Sequence, residues 1–187
     1  GIEHLGLKSK GMEEVMAVVE TNSCFSDGIQ YVTGCSFGNN ALIYRDYGKT
    51  AVSFSRRGEK GIRILAKDNN LIKNNYPEAY KLFEEVVVKR NGSEREKKSL
   101  DKKWRQASFD IIKLNIDELF EIEDIKIELP DYAPIFEDKY CDICGEKIMS
   151  EKAVKIDDQI MCKSCANTDY MQLDGSGLRY CKGGDCN

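Results

Sequence analysis

The alternation of apolar and polar residues along the first third of the chain predicts a sheet interrupted by a helix. Residues 13–21 contain a run of apolar and β-branched side chains, which indicates a buried strand. A short helix is predicted over 26–33, because it begins with an N-cap type residue and Gly34 follows it. Three further strands, expected to be antiparallel and separated by turn-forming residues, are predicted at 42–44, 50–55 and 61–66.

The middle of the chain is more polar and predicts two helices and a strand. Residues 76–89 have apolar side chains at helical spacing. A second, highly charged helix is expected to begin at Ser93 or Leu100 and to end at Ala107. Residues 122–129 alternate apolar with charged side chains, as a strand with one solvent-exposed face does. The whole pattern predicts an α+β fold, with a mixed or antiparallel sheet core and helices.

Two Cys-x2-Cys pairs, Cys141 with Cys144 and Cys162 with Cys165, carry the most specific chemical signal. Each turn places two sulfurs on one side of a metal, and two turns complete the tetrahedral shell that Zn²⁺ takes with thiolates. The separation of the pairs lies in the window of zinc sites. Four thiolates leave no open position for water, so the prediction is a structural zinc ion without chemistry of its own. The alternative is that the cysteines are unliganded or disulfide-paired.

The prolines at 130 and 134 break regular structure and indicate a boundary between two domains. The expected organisation is an α+β core domain over 1–129, a linker over 130–138, a four-cysteine zinc module over 139–172 and a Cys-containing, Gly-rich tail over 173–187. A hairpin at 152–160 is expected between the cysteine pairs. The linker is interpreted as a spacer, with a hinge as the alternative.

Composition and charge narrow the class of protein. The chain has 187 residues, 41% of them apolar and 32% charged, which is ordinary for a globular protein. It has no apolar run long enough to cross a bilayer and no signal sequence, so we expect a cytoplasmic protein with no membrane partner. A net charge of −4 argues against nucleic-acid binding by the whole molecule. The segment 89–105 is locally basic, with eight Lys or Arg against three acids around Trp104, and is interpreted as a solvated face.

A second pair of cysteines, Cys24 and Cys35, brackets the predicted helix 26–33. A strand, a short helix and a turn in that order could bring both thiols to one end of the sheet, where polar sites are commonly built. The pair has three interpretations: ligands of a second metal with one or two further donors, a redox pair, or two small buried residues. Cys181 and Cys186 near the C-terminus are left unassigned, as ligands, as a disulfide or as residues without a role.

Several motifs together resemble the FmdE family, which is named for the E subunit of molybdenum formylmethanofuran dehydrogenase. The most specific of them are Asn22-Ser23-Cys24, Thr33-Gly34-Cys35 and Asp46-Tyr47-Gly48-Lys49. Further matching segments are 18–24, 27–30, 40–43, 118–120, 129–130 and the zinc-type segment 141–146. The resemblance covers nearly the whole chain.

The resemblance implies an α+β core, a homodimer, a zinc-binding C-terminal module and a metal-containing cleft lined by cysteine and histidine. Cys24 and Cys35 would be the cysteines of that cleft, and the second metal ion would be of unknown identity. Members of the family carry an N-terminal His-Gly-His-x-Cys-Pro motif that this sequence lacks, and His4 is its one histidine. Since the sequence begins with Gly1, we expect the native protein to continue upstream.

These observations favour a metal-binding accessory protein of the FmdE type, linked by resemblance to molybdenum or tungsten formylmethanofuran dehydrogenase. If the cleft performs a reaction, Cys24 and Cys35 are the candidate catalytic residues. The first alternative is a noncatalytic zinc ribbon that binds a protein partner or nucleic acid, for which the basic segment around Trp104 is the nucleic-acid argument. The second alternative is a thiol redox protein that uses Cys24 and Cys35.

Overall fold

A mixed five-stranded sheet is the largest sheet of the chain, whose computed structural model describes residues 12–67 and 70–183. Its strands are Val15–Val19 (β1), Leu42–Tyr44 (β2), Ala51–Arg56 (β3), Gly61–Ala66 (β4) and Phe120–Ile125 (β5). Their order across the sheet is β2-β1-β3-β4-β5. The predicted α+β class with a mixed sheet is therefore confirmed.

The direction of β2 corrects one expectation from the sequence. β2 does not pair with β3 but lies on the other side of β1 and runs parallel to it, with Ala17 opposite Leu42. β3 pairs with β1 in the antiparallel direction, with Ala17 opposite Phe54. The parallel pairing arises because the helix Cys24–Thr33 (α1) crosses between β1 and β2, and a crossover returns the chain in the same direction.

The local chemistry of its two ends explains where α1 begins and stops. Ser23 is the N-cap, and its hydroxyl accepts a hydrogen bond from the backbone N–H of Phe25. The helix therefore starts two residues before the predicted position 26. Gly34 ends it in the left-handed conformation, with φ of 74°.

Residues 64–122 form one compact unit of the chain, and the other described residues form a second. The helices of the first unit are Leu71–Asn75 (α2), Pro77–Phe83 (α3), a π-helical turn Glu84–Val88, Glu94–Ile111 (α4) and Ile116–Leu119 (α5). The predicted helix 76–89 corresponds to α3 and the π-helical turn. The charged helix α4 begins after Ser93, which forms a capping box with Glu96, and it continues beyond the predicted end at Ala107.

The hydrophobic core of the second unit is built on β1 and β3. All five residues of β1 are buried, and none is more than 2% exposed. In β3 the residues Ala51–Ser55 are buried as well, so apolar positions on both faces of this part of the sheet are covered. A strand buried on both faces needs a continuous apolar run, which is the pattern that predicted β1.

The C-terminal part of the second unit consists of short hairpins. Its strands are Asp138–Tyr140 (β6), Lys147–Met149 (β7), Val154–Ile156 (β8), Gln159–Met161 (β9), Tyr170–Asp174 (β10) and Gly177–Cys181 (β11). They pair antiparallel as β6 with β7, β8 with β9 and β10 with β11. The β8–β9 hairpin confirms the hairpin expected between the two cysteine pairs.

Two segments differ from the sequence prediction. The Gly-rich region from 173 onward is predicted to be a tail without regular structure, but β10 and β11 form a hairpin in which Leu173 lies opposite Leu178. Gly177, with φ of 100°, provides the left-handed conformation at its turn. The exposed strand expected at 122–129 begins and ends earlier, as β5. The expected domain limits at 129, 138 and 172 stay predictions.

Candidate metal centre

The two Cys-x2-Cys pairs meet in space. The four Sγ atoms of Cys141, Cys144, Cys162 and Cys165 all lie within 4.8 Å of one another. The first pair begins directly after β6 and the second directly after β9, so each pair is held at the end of a hairpin strand. Two different hairpins thus supply the two halves of one cluster.

Tight turns within each pair shape the cluster. In the first pair, the N–H of Gly145 donates to the carbonyl of Cys141 at 2.8 Å, and the N–H of Cys141 donates to the carbonyl of Glu146 at 2.9 Å. Gly145 has φ of 73°, a conformation that glycine adopts without a steric cost. The turn therefore requires the glycine that follows the first pair in the sequence.

Asp142 joins the first pair to the strand that carries the second. Its backbone N–H donates to the carbonyl of Ile160 at 2.8 Å, and its carboxylate accepts from the N–H of Ile160 at 2.6 Å. Ile160 belongs to β9, which ends just before Cys162. Sequence analysis missed Asp142, although its place between Cys141 and Cys144 was visible.

Backbone N–H groups point at the sulfur atoms. The N–H of Cys162 donates to Sγ of Cys141 at 3.3 Å, and the N–H of Cys165 donates to Sγ of Cys162 at 3.3 Å. Hydrogen bonds from the main chain of Cys144 and Cys162 lower the pKa of Cys141 to about 6. Hydrogen bonding with the thiols of Cys162 and Cys144 raises the pKa of Cys165 to about 12. One thiolate is thus favoured, while like charge opposes ionising its neighbours until a cation is present.

The geometry of the cluster fits a four-coordinate ion. Tetrahedral Zn²⁺ with Zn–S distances of about 2.3 Å places its sulfurs about 3.8 Å apart, and the upper limit of 4.8 Å here is close to that spacing. Cys141 is 2% exposed, and Cys144 lies at the surface. A shell of four sulfurs leaves no position for water or substrate, so the cluster can hold a metal but offers it no open site.

Cys24 and Cys35 lie in different environments. Cys24 is exposed at the first residue of α1, whereas Cys35 is completely buried just after that helix. The thiol of Cys35 donates to the carbonyl of Val15 at 3.5 Å, and burial raises its pKa. Within residues 12–67 and 70–183, neither cysteine belongs to a group of three or more metal-ligating side chains. The second metal site at these cysteines stays a prediction.

The remaining candidates from the sequence lie at the two ends of the chain. His4, the histidine considered for the cleft, and Cys186 are outside the described residues. Cys181 is buried at the end of β11 and is disulfide-bonded.

The linker at 130–134 is anchored by side chains that the sequence analysis did not single out. Arg57 forms an ion pair with Glu13 at 2.7 Å, donates to the carbonyl of Pro130 at 2.5 Å and lies over the ring of Tyr132, 4.2 Å from its centroid. The carboxylate of Glu13 also accepts from the N–H of Ala133 at 3.3 Å. Arg57 stands in the turn after β3, so the core of the sheet holds the start of the linker in place.

The basic segment 89–105 uses much of its charge and its aromatic ring internally. Lys97 and Arg105 pair with acidic neighbours on α4, and Lys103 pairs with Glu78. The ring of Trp104 stacks on Phe83, with 4.9 Å between the ring centroids. A nucleic-acid platform needs unpaired cations and an open aromatic face, and here both are largely engaged.

Together these features define a mixed α+β protein with a C-terminal centre of four cysteines that could bind a metal. Comparison with known families assigns both parts. The model of the family described as "FmdE, Molybdenum formylmethanofuran dehydrogenase operon" matches residues 1–121. The model of the prokaryotic dksA/traR C4-type zinc finger matches residues 134–170. The chain belongs to the FmdE family, and it carries a C4-type zinc finger.

A relative and a solved structure add to this assignment. A protein of Archaeoglobus fulgidus named "Probable S-adenosyl-L-methionine-binding protein" is 39% identical over 179 residues, which cover 95% of this chain and 47% of that protein. The chain thus spans about half the length of this curated relative. A crystal structure of an FmdE-like protein of tungsten formylmethanofuran dehydrogenase type from Syntrophus aciditrophicus shares 22% identity. The match covers 81% of this chain and 71% of that one, with a TM-score of 0.49.

The helices do not include a membrane-spanning candidate. Among the residues that the structure describes, no helix combines the length and the apolar character needed to cross a bilayer.

Proposed function

We propose that this protein is a noncatalytic, metal-binding accessory member of the FmdE family, in which Cys141, Cys144, Cys162 and Cys165 hold a structural zinc ion. The observation that carries the proposal is the approach of the four Sγ atoms to within 4.8 Å of one another. The C4-type zinc finger match over 134–170 supports zinc as the metal. A bound zinc ion supplies structural cross-linking here, because a closed shell leaves no position for a substrate.

The proposed zinc ion explains how the surrounding hairpins stay folded. The strands β6 to β9 have three residues each, and most of their side chains are exposed or half-buried. Such a module buries little apolar surface, and small modules of this kind are commonly held by a structural metal. The four thiolates would thus provide the cross-link that a small apolar core does not.

Metal analysis of the purified protein tests the proposal. We expect one zinc ion per chain at the four-cysteine site, and Cys141→Ser or Cys162→Ser should lower the zinc content of that site severalfold because each removes one of four ligands. Cys24→Ser, which lies outside the cluster, is the matched control and should keep this zinc ion. Undiminished zinc in Cys141→Ser and Cys162→Ser would refute the assignment.

The second metal site predicted at Cys24 and Cys35 is tested by the same stoichiometry. A cleft metal raises the content to two ions per chain, and the double variant Cys24→Ser/Cys35→Ser should return it to one. A content of one that the double variant leaves unchanged contradicts the second site. Mass spectrometry with and without reductant tests the redox alternative, since a disulfide between the two thiols lowers the mass by two hydrogens.

The relative from Archaeoglobus fulgidus supplies a second candidate function, the binding of S-adenosyl-L-methionine. The observation that favours it is 39% identity over 95% of this chain. Calorimetry with S-adenosyl-L-methionine and the zinc-loaded protein tests it, with adenosine as the matched ligand control. Saturable heat with the first ligand supports binding by this chain, and no heat assigns the named property to the part of the relative that this chain does not match.

The homodimer implied by the family resemblance, a protein partner and the cytoplasmic location are further parts of this proposal. Light scattering coupled to gel filtration tests the first of them. A mass of twice 21.2 kDa supports the dimer, and a mass of 21.2 kDa contradicts it.

A further inference from the structure

The carboxyl ends of β1 and β2 form a polar edge of the sheet. Because these strands run parallel, their carboxyl ends lie on the same side of the sheet. Asn22 and Cys24 follow β1, and Asp46 follows β2. In sheets with parallel strands, ligands commonly bind outside the carboxyl ends of the strands. Such an edge is therefore a natural place for a site, and in this structure it is covered.

The turn of the β10–β11 hairpin lies against this edge. The side-chain amide of Asn22 donates to the carbonyl of Asp174 at 2.5 Å. The backbone N–H of Leu178 donates to the carboxylate of Asp46 at 3.0 Å. One hydrogen bond therefore reaches the end of each parallel strand, and both reach the same hairpin turn.

The approach of the turn to Asp46 is close enough to require glycine. A Cβ atom placed on Gly177 would lie 3.1 Å from Oδ2 of Asp46, and its backbone has φ of 100°. Asp46 is itself held in place by the hydroxyl of Tyr44, which donates to its Oδ1. Both sides of the contact are thus fitted to each other.

Internal contacts give the hairpin turn a defined shape. The carboxylate of Asp174 accepts from the backbone N–H of Ser176 at 2.8 Å and from the side chain of Gln172 at 3.1 Å, and it forms an ion pair with Arg179. A turn that is ordered on its own can dock as a unit. The core needs to supply only the two hydrogen bonds and the space for Gly177.

The hairpin is connected to the second cysteine pair by a short, hydrogen-bonded segment. The N–H of Ala166 donates to the carbonyl of Cys162 at 2.9 Å, and the N–H of Thr168 donates to the carbonyl of Lys163 at 3.1 Å. β10 then begins at Tyr170. The position of the hairpin therefore depends on the turn that carries Cys162 and Cys165.

We propose that the β10–β11 hairpin is a cap over the carboxyl ends of β1 and β2, and that the four-cysteine centre holds it in place. This inference rests on the proposed zinc site. With zinc bound, the cap occupies the donor of Asn22 and the acceptor of Asp46. When the centre loses its metal, the cap is released, and both groups become available to a ligand that offers a hydrogen-bond acceptor and a donor.

Amide hydrogen exchange followed by NMR on the zinc-loaded full chain tests the cap directly. Asp46→Ala removes the acceptor of the Leu178 N–H, so the exchange of that amide should accelerate by about tenfold or more. Gly177→Ala disturbs the same contact from the side of the hairpin and should produce the same change. Asp138→Ala, which removes an exposed carboxylate paired with Lys147, is the control and should leave the Leu178 amide unchanged.

Removing the metal with a chelator tests the coupling. We expect the Leu178 amide to lose its protection and the side-chain amide signals of Asn22 to shift, while the amides of β1 remain protected. Wild-type exchange at Leu178 in both Asp46→Ala and Gly177→Ala overturns the cap. An unchanged Asn22 signal after metal removal overturns the coupling. A purified protein without zinc at the four-cysteine site overturns the proposed function instead, so the failures are distinguishable.

Discussion

The sheet strand β1 and the four-cysteine module represent two different ways of stabilising one chain. In β1 all five side chains are buried, and the strand has sheet neighbours on both sides. In the strands β6 to β9, Met161 is the buried apolar side chain, and Cys141 is the buried ligand beside them. The first region is held by apolar burial, and the second brings its thiols together in an arrangement that suits a metal.

This difference has consequences for how the two regions respond to the same treatment. Apolar burial contributes about 25 cal/mol per Å² and is spread over many residues, so single substitutions remove a part of it. A structural zinc site in a small module provides about 10–16 kcal/mol through four ligands, so removing the metal removes most of its stability at once. The four predictions below use this contrast, from the largest effect to the smallest.

Removal of zinc should have the largest effect and should be confined to the four-cysteine module. Under a strong chelator, we expect the NMR signals of 138–168 to collapse toward unfolded positions, because the thiolates then repel one another and the module lacks a core. The signals of β1 and β3 should keep their dispersion. Returning zinc should restore the spectrum, whereas returning magnesium, which prefers oxygen ligands, should not. A folded module in the chelated protein would contradict the contrast.

Shortening a side chain in β1 should weaken the core without affecting the metal. Met16 is 1% exposed, so Met16→Ala leaves a cavity and should lower the free energy of unfolding by about 2–5 kcal/mol. Urea denaturation measures this change, and metal analysis should still find the zinc of the four-cysteine site. Met149→Ala in β7, where the side chain is 49% exposed, is the matched control, with an expected change within about 0.5 kcal/mol. Equal losses in the two variants would remove the distinction between the regions.

The ion pair between Arg57 and Glu13 tests how firmly the core holds the linker to the four-cysteine module. Arg57→Ala leaves a nearly buried carboxylate without its guanidinium partner, and the free energy of unfolding should fall by about 2 kcal/mol. The N–H of Ala133, which donates to Glu13, should exchange faster. Arg56→Ala removes the neighbouring, more exposed arginine and should have little effect. Unchanged exchange at Ala133 would show that the linker does not depend on this pair.

The smallest effect is the pH dependence contributed by Glu20 at the end of β1. A hydrogen bond from Arg63 lowers the pKa of Glu20 below its usual value of 4.5. A carboxyl group whose pKa is lower in the folded state stabilises the protein above its usual pKa, and this contribution is lost as the pH falls through the lowered value. Denaturation between pH 6 and about pH 3 should therefore show a shallower decline in Glu20→Gln than in the wild type.

A comparison of the two proteins at each pH separates this effect from loss of zinc in acid, because both lose the metal alike. Glu59→Gln, which alters an exposed carboxylate, should follow the wild-type curve. Parallel curves for Glu20→Gln and the wild type would contradict the contribution of Glu20.

Local patterns were sufficient to predict several elements of this structure. The apolar run at 13–21 contains β1, Ser23 and Gly34 delimit α1, and the residues between the cysteine pairs form the expected hairpin. These features depend on neighbours a few residues apart, so the information is present in any short stretch of sequence. The Cys-x2-Cys spacing likewise fixes each half of the four-cysteine cluster before the fold is known.

Other features depended on contacts between distant parts of the chain. The parallel placement of β2 beside β1 follows from the crossover through α1, which the pattern of β2 itself does not reveal. The glycines beyond 173 are typical of loops and predict a tail, yet the turn in this region is held by Asn22, which lies 152 residues before Asp174. Cys24 and Cys35, which the motifs place together, are exposed and buried respectively.

The sequence by itself determined the α+β class, the buried strand β1 and the two cysteine pairs, because apolar periodicity and ligand spacing are local properties. The tertiary structure alone decided that the pairs converge to within 4.8 Å, that Arg57 anchors the linker and that the β10–β11 hairpin covers the strand ends. Each of these depends on the distance between segments far apart in the chain. Such distances follow from the packing of the whole fold, which local patterns do not encode.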